Sequence, residues 1–572
     1  MTHSLVEVTD LVVDFPVGGA GEYVRAVDGI SFTLEAGHAL GVVGESGSGK
    51  STVAAALLGL HRGTGARLGG TVRVGGTDVA TAPAAELRRL RGGTAAMVFQ
   101  DPLSSLDPYY AIGDQIAEVH RIHADVSRRA ARARAVEVLD RVGIPDAKRR
   151  SRARPHEFSG GMRQRALIAM ALACEPQLLI ADEPTTALDV TVQAQILDLL
   201  HGLREERGLG LLLVTHDVGV AAESVDEVLV MRGGSAVERG PVASVLAAPA
   251  EPYTRALLAA VPRLDGPRPV RGAAGEQARR RSRGSAPDPA PQTPAGLDLS
   301  PAGPDGGQEV PPVVEAFSLR REFGRGRRKV AAVAGVSLAV HAGETLGIVG
   351  ESGSGKSTLG RMLVGLLEPG SGQVRRDGAE VTGIASGVQM VFQDPVSSLN
   401  PRRSVGESIA DPLRAAGERD EAAVRARVEE LLLRVGLEAE HYDRYPHEFS
   451  GGQRQRVGIA RALAPRPRLI VCDEPVSALD VTTQAQVTAL LAELQRELGI
   501  ALVFIAHDLA VVRQVSDRVA VMRAGEIVEE GPVDEVYDRP AHPYTRQLLA
   551  AVPALDPALA AGRRRTRQEV FA

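Results

Sequence analysis

The sequence predicts an α/β fold built as two similar halves, and three observations carry this prediction. Residues 44–52 are repeated letter for letter at residues 350–358. Each copy follows an apolar, strand-like run and precedes a helix-like run rich in alanine and leucine. A later apolar run in each half ends in Asp-Glu-Pro. Length alone would suggest about four domains for a chain of 572 residues. The internal repeat instead favours two large, similar halves.

The halves are separated by a segment of different composition. Residues 265–312 are rich in Pro, Gly, Ala and Arg and contain almost no large apolar side chains. This composition predicts a disordered linker between domains at residues 1–264 and 313–572. A flexible segment of this length spans roughly 35–40 Å root-mean-square, which lets the halves part and close at an effective concentration near millimolar.

Overall composition narrows the classes of partner. The net charge of −5 gives no basic excess for a nucleic-acid partner. Two cysteines, Cys174 and Cys472, are too few for a disulfide framework or a four-ligand zinc site, and they favour a reducing compartment. No run of about 18 apolar residues occurs, so we expect any membrane role to come through partners.

The repeated nonapeptide fits the phosphate-binding loop G-x-x-x-x-G-K-[ST]. Its glycines let backbone N–H groups point at an anion, and the helix that follows adds the positive end of its dipole. Lys50 and Lys356 are expected to meet the β- and γ-phosphates of a nucleotide, and Ser51 and Ser357 to hold Mg²⁺. The predicted nucleotide-binding residues of the loops are Gly44, Ser46, Gly47, Ser48, Gly49, Lys50, Ser51 and Thr52, and Gly350, Ser352, Gly353, Ser354, Gly355, Lys356, Ser357 and Thr358.

Each later apolar strand ends in two carboxylates, Asp182-Glu183 and Asp473-Glu474. Two negative charges beside a triphosphate cost free energy unless a cation offsets one of them. We therefore assign Asp182 and Asp473 to Mg²⁺, directly or through water, and Glu183 and Glu474 to polarising the attacking water. The alternative is a helix N-cap pair without chemistry.

A glutamine and a histidine recur around these carboxylates. Gln100 and Gln393 close a strand before a proline-marked turn and are long enough to touch Mg²⁺ or the attacking water. His216 and His507 end apolar strands at the same distance from the glutamate in both halves (183 to 216 and 474 to 507), which favours one shared γ-phosphate site. Alone, each glutamine would more often be a surface residue and each histidine structural.

Two further features of the sequence each allow more than one interpretation. Phe15 and Phe323 lie on strands where an aromatic ring could stack on a purine base, or they are ordinary strand aromatics. Each half also contains a Ser-Gly-Gly that opens a helix, which is a second anion-binding terminus. These termini are Ser159-Gly160-Gly161-Met162 and Ser450-Gly451-Gly452-Gln453. Such a terminus cannot serve the phosphate of its own half unless the fold brings the two together.

Together these motifs resemble the nucleotide-binding subunits of ABC transporters, over essentially all of the chain except the linker and tails. The resemblance implies two P-loop NTPase (RecA-like) domains, each with an antiparallel β subdomain and an α-helical subdomain, that bind ATP and Mg²⁺ and hydrolyse ATP. In that family the Ser-Gly-Gly signature of one half faces the phosphate loop of the other, so that ATP joins the halves head to tail. One site would combine Lys50, Ser51, Gln100, Asp182, Glu183 and His216 with Ser450, Gly451, Gly452 and Gln453, and the other would combine Lys356, Ser357, Gln393, Asp473, Glu474 and His507 with Ser159, Gly160, Gly161 and Met162.

Departures from the general pattern point to a branch of the family. Phe158 and Phe449 precede the signature serines where leucine is usual, and Met162 replaces a glutamine. These signatures, with the tail motifs at residues 252–255 and 542–546, resemble the oligopeptide/dipeptide importers. Some relatives bind an iron–sulfur cluster through cysteines after this tail motif. No cysteine follows it here, so we expect no cluster.

The resemblance implies a peripheral subunit at the cytoplasmic face of the cell membrane that powers import of di- or oligopeptides. Its expected partners are two permeases, whose helices would dock on the helical insertions at about 101–158 and 394–449, and an extracytoplasmic solute-binding protein. We expect neither a nucleic-acid partner nor a membrane span. The alternatives are another cargo (nickel, glutathione, an opine or an oligosaccharide) or a soluble ATPase acting on ribosomes or DNA. The Pro/Gly linker, the lack of heptads and the importer-like tails disfavour the last.

Overall fold

The computed structural model describes residues 4–18, 21–186, 188–264, 266, 312–324, 329–381, 383–384, 387–394, 398–477, 479–556, 559–560, 562–564 and 567. The expected linker at 265–312 lies almost wholly outside these described residues. Its disorder and the domain boundaries drawn from it therefore stay predictions.

The first half contains two sheets. Its strands are β1 (Val6–Pro16), β2 (Tyr23–Leu34), β3 (Ala39–Val43), β4 (Arg67–Val74), β5 (Thr77–Asp78), β6 (Ala95–Val98), β7 (Leu178–Asp182), β8 (Gly210–Thr215), β9 (Glu227–Arg232) and β10 (Ser235–Pro241). The antiparallel sheet has the order β2-β1-β4-β5, and the second sheet has the order β10-β9-β3-β8-β7-β6. All neighbours in the second sheet are parallel except β10 and β9.

The second half repeats this topology. Its strands are β11 (Val314–Phe323), β12 (Val330–Val340), β13 (Thr345–Val349), β14 (Ser371–Arg376), β15 (Ala379–Glu380), β16 (Val388–Val391), β17 (Leu469–Asp473), β18 (Ala501–Ile505), β19 (Arg518–Arg523) and β20 (Glu526–Pro532). They form sheets of order β12-β11-β14-β15 and β16-β17-β18-β13-β19-β20. Two copies of a mixed α/β core, each with an antiparallel β subdomain, confirm the predicted fold class.

Helices cover the parallel sheets and form the expected insertions. Those of the first half are α1 (Lys50–Leu57), α2 (Ala84–Arg89), α3 (Pro102–Ser105), α4 (Ile112–His123), α5 (Arg128–Arg141), α6 (Ala147–Arg150), α7 (Gly160–Leu172), α8 (Val190–Arg207), α9 (Val218–Ser224), α10 (Val242–Ala247) and α11 (Pro252–Ala260). Those of the second half are α12 (Lys356–Leu363), α13 (Val405–Ala415), α14 (Glu421–Arg434), α15 (Gly451–Leu463), α16 (Val481–Leu498), α17 (Leu509–Val515), α18 (Val533–Asp538) and α19 (Pro543–Ala551). Among the described residues, no helix is both long enough and apolar enough to cross a membrane.

The central strands read as continuous apolar runs because both faces of the sheet are covered. Every residue of β3, β7 and β8 is buried, as is every residue of β13, β17 and β18. Since β3, β8 and β7 are parallel neighbours, their carboxyl ends meet at one edge of the sheet. That edge receives the phosphate loop after β3, the carboxylates after β7 and the histidine after β8, where ligands bind in open α/β sheets.

The two halves pack against each other through their tail helices. Helix α19 contacts α8, and α11 contacts α16. Val190, Ala194 and Leu264 of the first half belong to the buried core of the second. Each half therefore places its tail on the long helix of the other.

Candidate active site

The phosphate loop is shaped by glycines, two of which approach backbone carbonyl oxygens too closely to carry a side chain. A Cβ at Gly44 (φ +154°) would lie 2.2 Å from the carbonyl oxygen of Met231, and one at Gly49 (φ +94°) would lie 2.4 Å from that of Ala26. Gly47 (φ +78°) has no neighbour within 4 Å of its would-be Cβ. The loop is thus pressed against the protein on one side and open on the other, which is the geometry of an anion cradle.

The loop lysine is held at the mouth of this cradle. The Lys50 ammonium donates to the carbonyl oxygens of Gly44 at 2.8 Å and Glu45 at 2.7 Å, and Lys356 makes both corresponding bonds at 2.7 and 2.8 Å. Burial lowers the pKa of each lysine, while nearby carboxylates oppose that shift. A buried ammonium at the start of a helix fits a polyphosphate chain.

A hydroxyl and a carboxylate meet beside each loop. Ser51 Oγ donates to Asp182 Oδ1 at 3.0 Å, and Ser357 Oγ donates to Asp473 Oδ1 at 2.8 Å. Both aspartates are buried, and burial raises the pKa of each carboxyl. This pair of oxygen donors fits Mg²⁺, which usually takes one or two protein ligands and completes its shell with phosphate oxygens and water.

Three side chains converge on the first glutamate. Gln100 Nε2 donates to Glu183 Oε2 at 2.8 Å, Thr186 Oγ1 donates to the same oxygen at 2.9 Å, and His216 Nδ1 lies 3.2 Å from Oε1. Glu183 itself has φ +47°, a left-handed conformation that non-glycine residues rarely adopt. Local strain of this kind concentrates at functional sites, where the surrounding structure enforces it.

The second glutamate has the same backbone but different partners. Glu474 has φ +47°, accepts from Gln393 Nε2 at 2.7 Å and lies 3.5 Å from His507 Nδ1. Ser477, which corresponds to Thr186, donates instead to the backbone carbonyl of Glu474 at 3.2 Å. The two glutamates therefore share their Gln and His partners and differ in the hydroxyl contact.

The glutamate and histidine form a charged pair in each half. Burial raises the pKa of Glu183, but the hydrogen bond and charge of His216, with Thr186 and Lys50, outweigh it and bring that pKa down to about 2. Burial lowers the pKa of His216, yet its bond to Glu183 leaves the pKa above the usual value. The same opposed shifts lower the pKa of Glu474 and raise that of His507. Each glutamate is thus an ionised acceptor at neutral pH.

The signature serines cap their helices. Ser159 Oγ accepts from Met162 N–H, and Ser450 Oγ accepts from Gln453 N–H, each at 3.3 Å. Gln453 Oε1 also accepts from Ser450 N–H at 3.0 Å, a reciprocal bond that the thioether of Met162 does not replace. Across the ranges described, no hydrogen bond or ion pair joins either serine to the opposite phosphate loop. The pairing of each signature with the other half's loop stays a prediction.

Three hydrogen bonds around the loops involve residues for which the sequence predicted no role at the site. Asp189 Oδ2, in the first half, accepts from Ser352 N–H in the second loop at 3.3 Å. The tail tyrosines also reach the loops of their own halves, where Tyr544 Oη accepts from Glu351 N–H at 3.1 Å. Tyr253 Oη makes the corresponding bond with Glu45 N–H at 3.4 Å. The sequence signal that points to these residues is the repetition of Ala-Leu-Asp, at residues 187–189 and 478–480, and of the tail motif.

The two strand aromatics lie in different surroundings. The Phe15 ring packs edge-on against His61 with centroids 5.2 Å apart. Phe323 is 45% exposed, and the Arg321 guanidinium lies 5.4 Å from its ring centroid. Stacking of either ring on a purine stays a prediction.

Two protein-family models each match the chain at two places. The "ABC transporter" model matches residues 27–186 and 333–477. The "Oligopeptide/dipeptide transporter, C-terminal region" model matches residues 237–285 and 528–571. Both the catalytic cores and the tail motifs are therefore duplicated.

Curated relatives match nearly the whole chain. The glutathione import ATP-binding protein GsiA of Pectobacterium atrosepticum is 47% identical over 586 residues, which cover 99% of this chain and 92% of that protein. GsiA of Escherichia coli (strain K12) is 47% identical over 553 residues, 93% of this chain and 87% of that protein. Among solved structures, a dimeric ATP-binding cassette bound to ADP and phosphate is 31% identical, with a TM-score of 0.36, and the match covers 38% of this chain and 98% of that one.

Proposed function

The chain belongs to the ABC transporter ATP-binding family and is an ATPase with two duplicated domains of the oligopeptide/dipeptide branch, and from this premise we propose that it powers the import of a small peptide of the glutathione class. The observation that carries the proposal is the oligopeptide/dipeptide transporter C-terminal region, which follows each ATPase domain. Its relatives are named for glutathione import, and this supports the tripeptide glutathione as the cargo.

Binding of ATP follows from the loop geometry. The open side of the Gly44–Lys50 loop presents backbone N–H groups to the β- and γ-phosphates, and the Lys50 ammonium moves from the loop carbonyls onto phosphate oxygens. Lys356 does the same in the second site. Ser51, Asp182 and Gln100, and their counterparts Ser357, Asp473 and Gln393, would hold Mg²⁺, which would supply positive charge to offset that on the phosphates.

Water is activated by the group around each glutamate. Glu183, ionised and fixed by Gln100 and His216, accepts a hydrogen bond from the attacking water and orients its lone pair toward the γ-phosphorus. His216 contributes a donor that stabilises the charge on the γ-phosphate. Glu474, Gln393 and His507 have the same roles in the second site.

Each site is completed by the opposite half. The helix N-termini at Ser159 and Ser450 suit an anion, and no described hydrogen bond joins either serine to the phosphate loop of its own half. The cross-half bond from Ser352 to Asp189 supports a head-to-tail arrangement, because it brings the second loop against the start of α8. ATP binding closes the halves, and hydrolysis reopens them.

The transport role requires partners that supply the membrane path. Two permeases that dock on the helical insertions and an extracytoplasmic solute-binding protein complete the importer. The chain works as their peripheral subunit at the cytoplasmic face of the membrane. Peptides other than glutathione, and nickel, an opine or an oligosaccharide, are the competing cargoes, since the permeases and the binding protein read the cargo.

Uptake by cells tests the proposal. Deleting the gene from its host should abolish accumulation of radiolabelled glutathione, and the wild-type gene should restore it. The inactive variant E183Q/E474Q, expressed to the same level, is the control. Unlabelled dipeptides, nickel and oligosaccharides added in excess identify the cargo by competition. Unchanged glutathione uptake in the deletion strain, with loss of uptake of one competitor, would reassign the cargo. Unchanged uptake of all of them would contradict the transport role.

A further inference from the structure

The C-terminal end of the second half reaches into the first half. Arg567 Nη2 lies 3.1 Å from Asp198 Oδ1 and 3.3 Å from Glu223 Oε2. The Arg567 side chain is only 1% exposed, and that of Glu223 is 2% exposed. Asp198 belongs to α8 and Glu223 to α9, so one arginine bridges two helices of the opposite half.

A second arginine and a backbone group reinforce this contact. Arg564 Nη1 lies 2.8 Å from His201 Nε2, and Arg564 Nη2 donates to the backbone carbonyl of Glu223. The N–H of Ala554 donates to Glu223 Oε1 at 3.3 Å. Both arginines thus attach to a single patch on the first half.

We propose that this arginine clamp, defined as Arg564 and Arg567 docked on Asp198, His201 and Glu223, holds the two halves together when no nucleotide joins them. The clamp goes beyond the proposed function, because it concerns how the halves stay paired and not what they transport. It gives the chain a permanent attachment about which the ATP sites close and open.

The acceptor side chains of the clamp occur in the first half and not at the corresponding positions of the second, which argues for a dedicated role. Helices α16 and α17 correspond to α8 and α9 in length and position. The residues of the second half that correspond to Asp198, His201 and Glu223 are Ala489, Ala492 and Gln514. The second half therefore lacks both carboxylates and the histidine at these three positions.

Burial makes the clamp depend on both of its sides. A buried arginine is tolerated only when carboxylates compensate its charge, and removal of one partner leaves an uncompensated charge in the interior. Two arginines face two carboxylates, so the formal charges of the clamp balance. Variants on either half should therefore weaken the pairing to a similar extent.

The clamp lies on the helix that leads to the nucleotide site but at a distance from that site, as an attachment point should. Asp198 lies nine residues along α8 from Asp189, or about 14 Å at the helical rise. Asp189 contacts the opposite phosphate loop, so one rigid helix connects the clamp to the nucleotide site. The halves can separate at the loop end of α8 while the clamp end stays closed.

The test removes the covalent link between the halves and then asks whether they stay associated. A protease site is inserted between residues 267 and 311, and the full chain is purified intact, cut and passed over a sizing column in EDTA without nucleotide. We expect the wild-type halves to elute together. R567M in the second half and E223Q in the first should each weaken their association at least tenfold, while R539M, at an exposed arginine of the second half, should not.

A double variant checks that the two side chains act as a pair. R567M/E223Q should weaken association by less than the product of the single effects, because neither side then keeps an unpaired charge. Separation of the wild-type halves after cutting would overturn the clamp, and so would co-elution of both single variants. If R567M lowers the melting temperature of its own half, E223Q on the other half decides the outcome.

Discussion

Asp189 in the first half accepts a hydrogen bond from the backbone N–H of Ser352 in the second phosphate loop, at 3.3 Å. The other carboxylate oxygen of Asp189 accepts from Val192 N–H at 2.9 Å and caps α8. One side chain thus fixes the start of a long helix and contacts the nucleotide loop of the opposite half. The second phosphate loop is therefore in direct contact with the surface on which the halves pack.

The contact between Asp189 and Ser352 predicts that substitution of Asp189 lowers ATP turnover, and the same chain offers a matched control. Asp480, the counterpart of Asp189, also caps its helix, but its second oxygen accepts from its own Thr483 at 3.0 Å. D189A and D480A should both lose a cap, which is worth about 1 kcal/mol of stability. Only D189A also loses a described cross-half bond, so its ATP turnover should fall about five- to tenfold below that of D480A. Equal turnover of the two variants would contradict this prediction.

The glutamates should control turnover without controlling binding. E183Q/E474Q keeps the shape of both side chains but removes the ionised acceptor, so turnover should fall at least about 100-fold. ATP affinity, measured by equilibrium binding, should stay within about threefold. E493Q, at an exposed position of α16, is the control and should leave both unchanged. Full activity of E183Q alone would mean that the first site is regulatory or that its base is misassigned.

The tail tyrosines should tune ATP affinity through the loop backbone. Tyr253 and Tyr544 accept from the N–H groups of Glu45 and Glu351, whose carbonyls hold the loop lysines. Y253F and Y544F each remove one bond worth about 1 kcal/mol, so KM for ATP should rise about fivefold with kcat within twofold. Y537F removes a hydroxyl bonded to Leu509, away from the loops, and should change neither constant. An unchanged KM in both tail variants would show that these bonds do not position the loop.

The stability of the protein at low pH should depend on a network of charged side chains in the second helical insertion. The bonds of Glu407 to Arg414, Tyr442 and Arg403 lower its pKa from 4.5 to about 2. A lowered folded-state pKa stabilises the protein above pH 4.5, and this stability is lost as the pH falls toward 2. E407Q should therefore cost about 1 kcal/mol at pH 7, a value reduced by solvent screening because the side chain is 36% exposed.

Urea unfolding at several pH values measures this effect. The difference between wild type and E407Q should stay constant from pH 7 to about 4.5 and shrink below it. E440Q, at an exposed neighbouring glutamate, should match the wild type throughout. A difference that grows as the pH falls would contradict the assigned direction of the pKa shift.

Much of the fold and of the site chemistry followed from local sequence. The apolar run before each repeated nonapeptide is a strand, as expected, at residues 39–43 and 345–349, because short apolar runs between turn residues mark buried parallel strands. The grouping of Gln100, Glu183 and His216 was also expected, since each follows a strand of one parallel sheet.

Other contacts depend on tertiary geometry that no local pattern encodes. The bond from Asp189 to Ser352 joins residues 163 positions apart in different halves. The docking of Arg567 on Glu223 joins residues 344 positions apart, and the arginine-rich tail alone reads as solvated charge. The contrast between Thr186 and Ser477 arises from a hydroxyl that rotates toward a carboxylate in one half and toward a carbonyl in the other.

The central claim, that each ATP site is shared between the halves, is tested most directly by cysteine cross-linking. In a C174S/C472A background that also carries E183Q/E474Q, the pair S46C/S450C places one thiol in the first loop and one in the opposite signature. Addition of ATP should produce an intrachain cross-link in this pair. The same-half pair S46C/S159C should give none. A cross-link in S46C/S159C and none in S46C/S450C would contradict the shared sites.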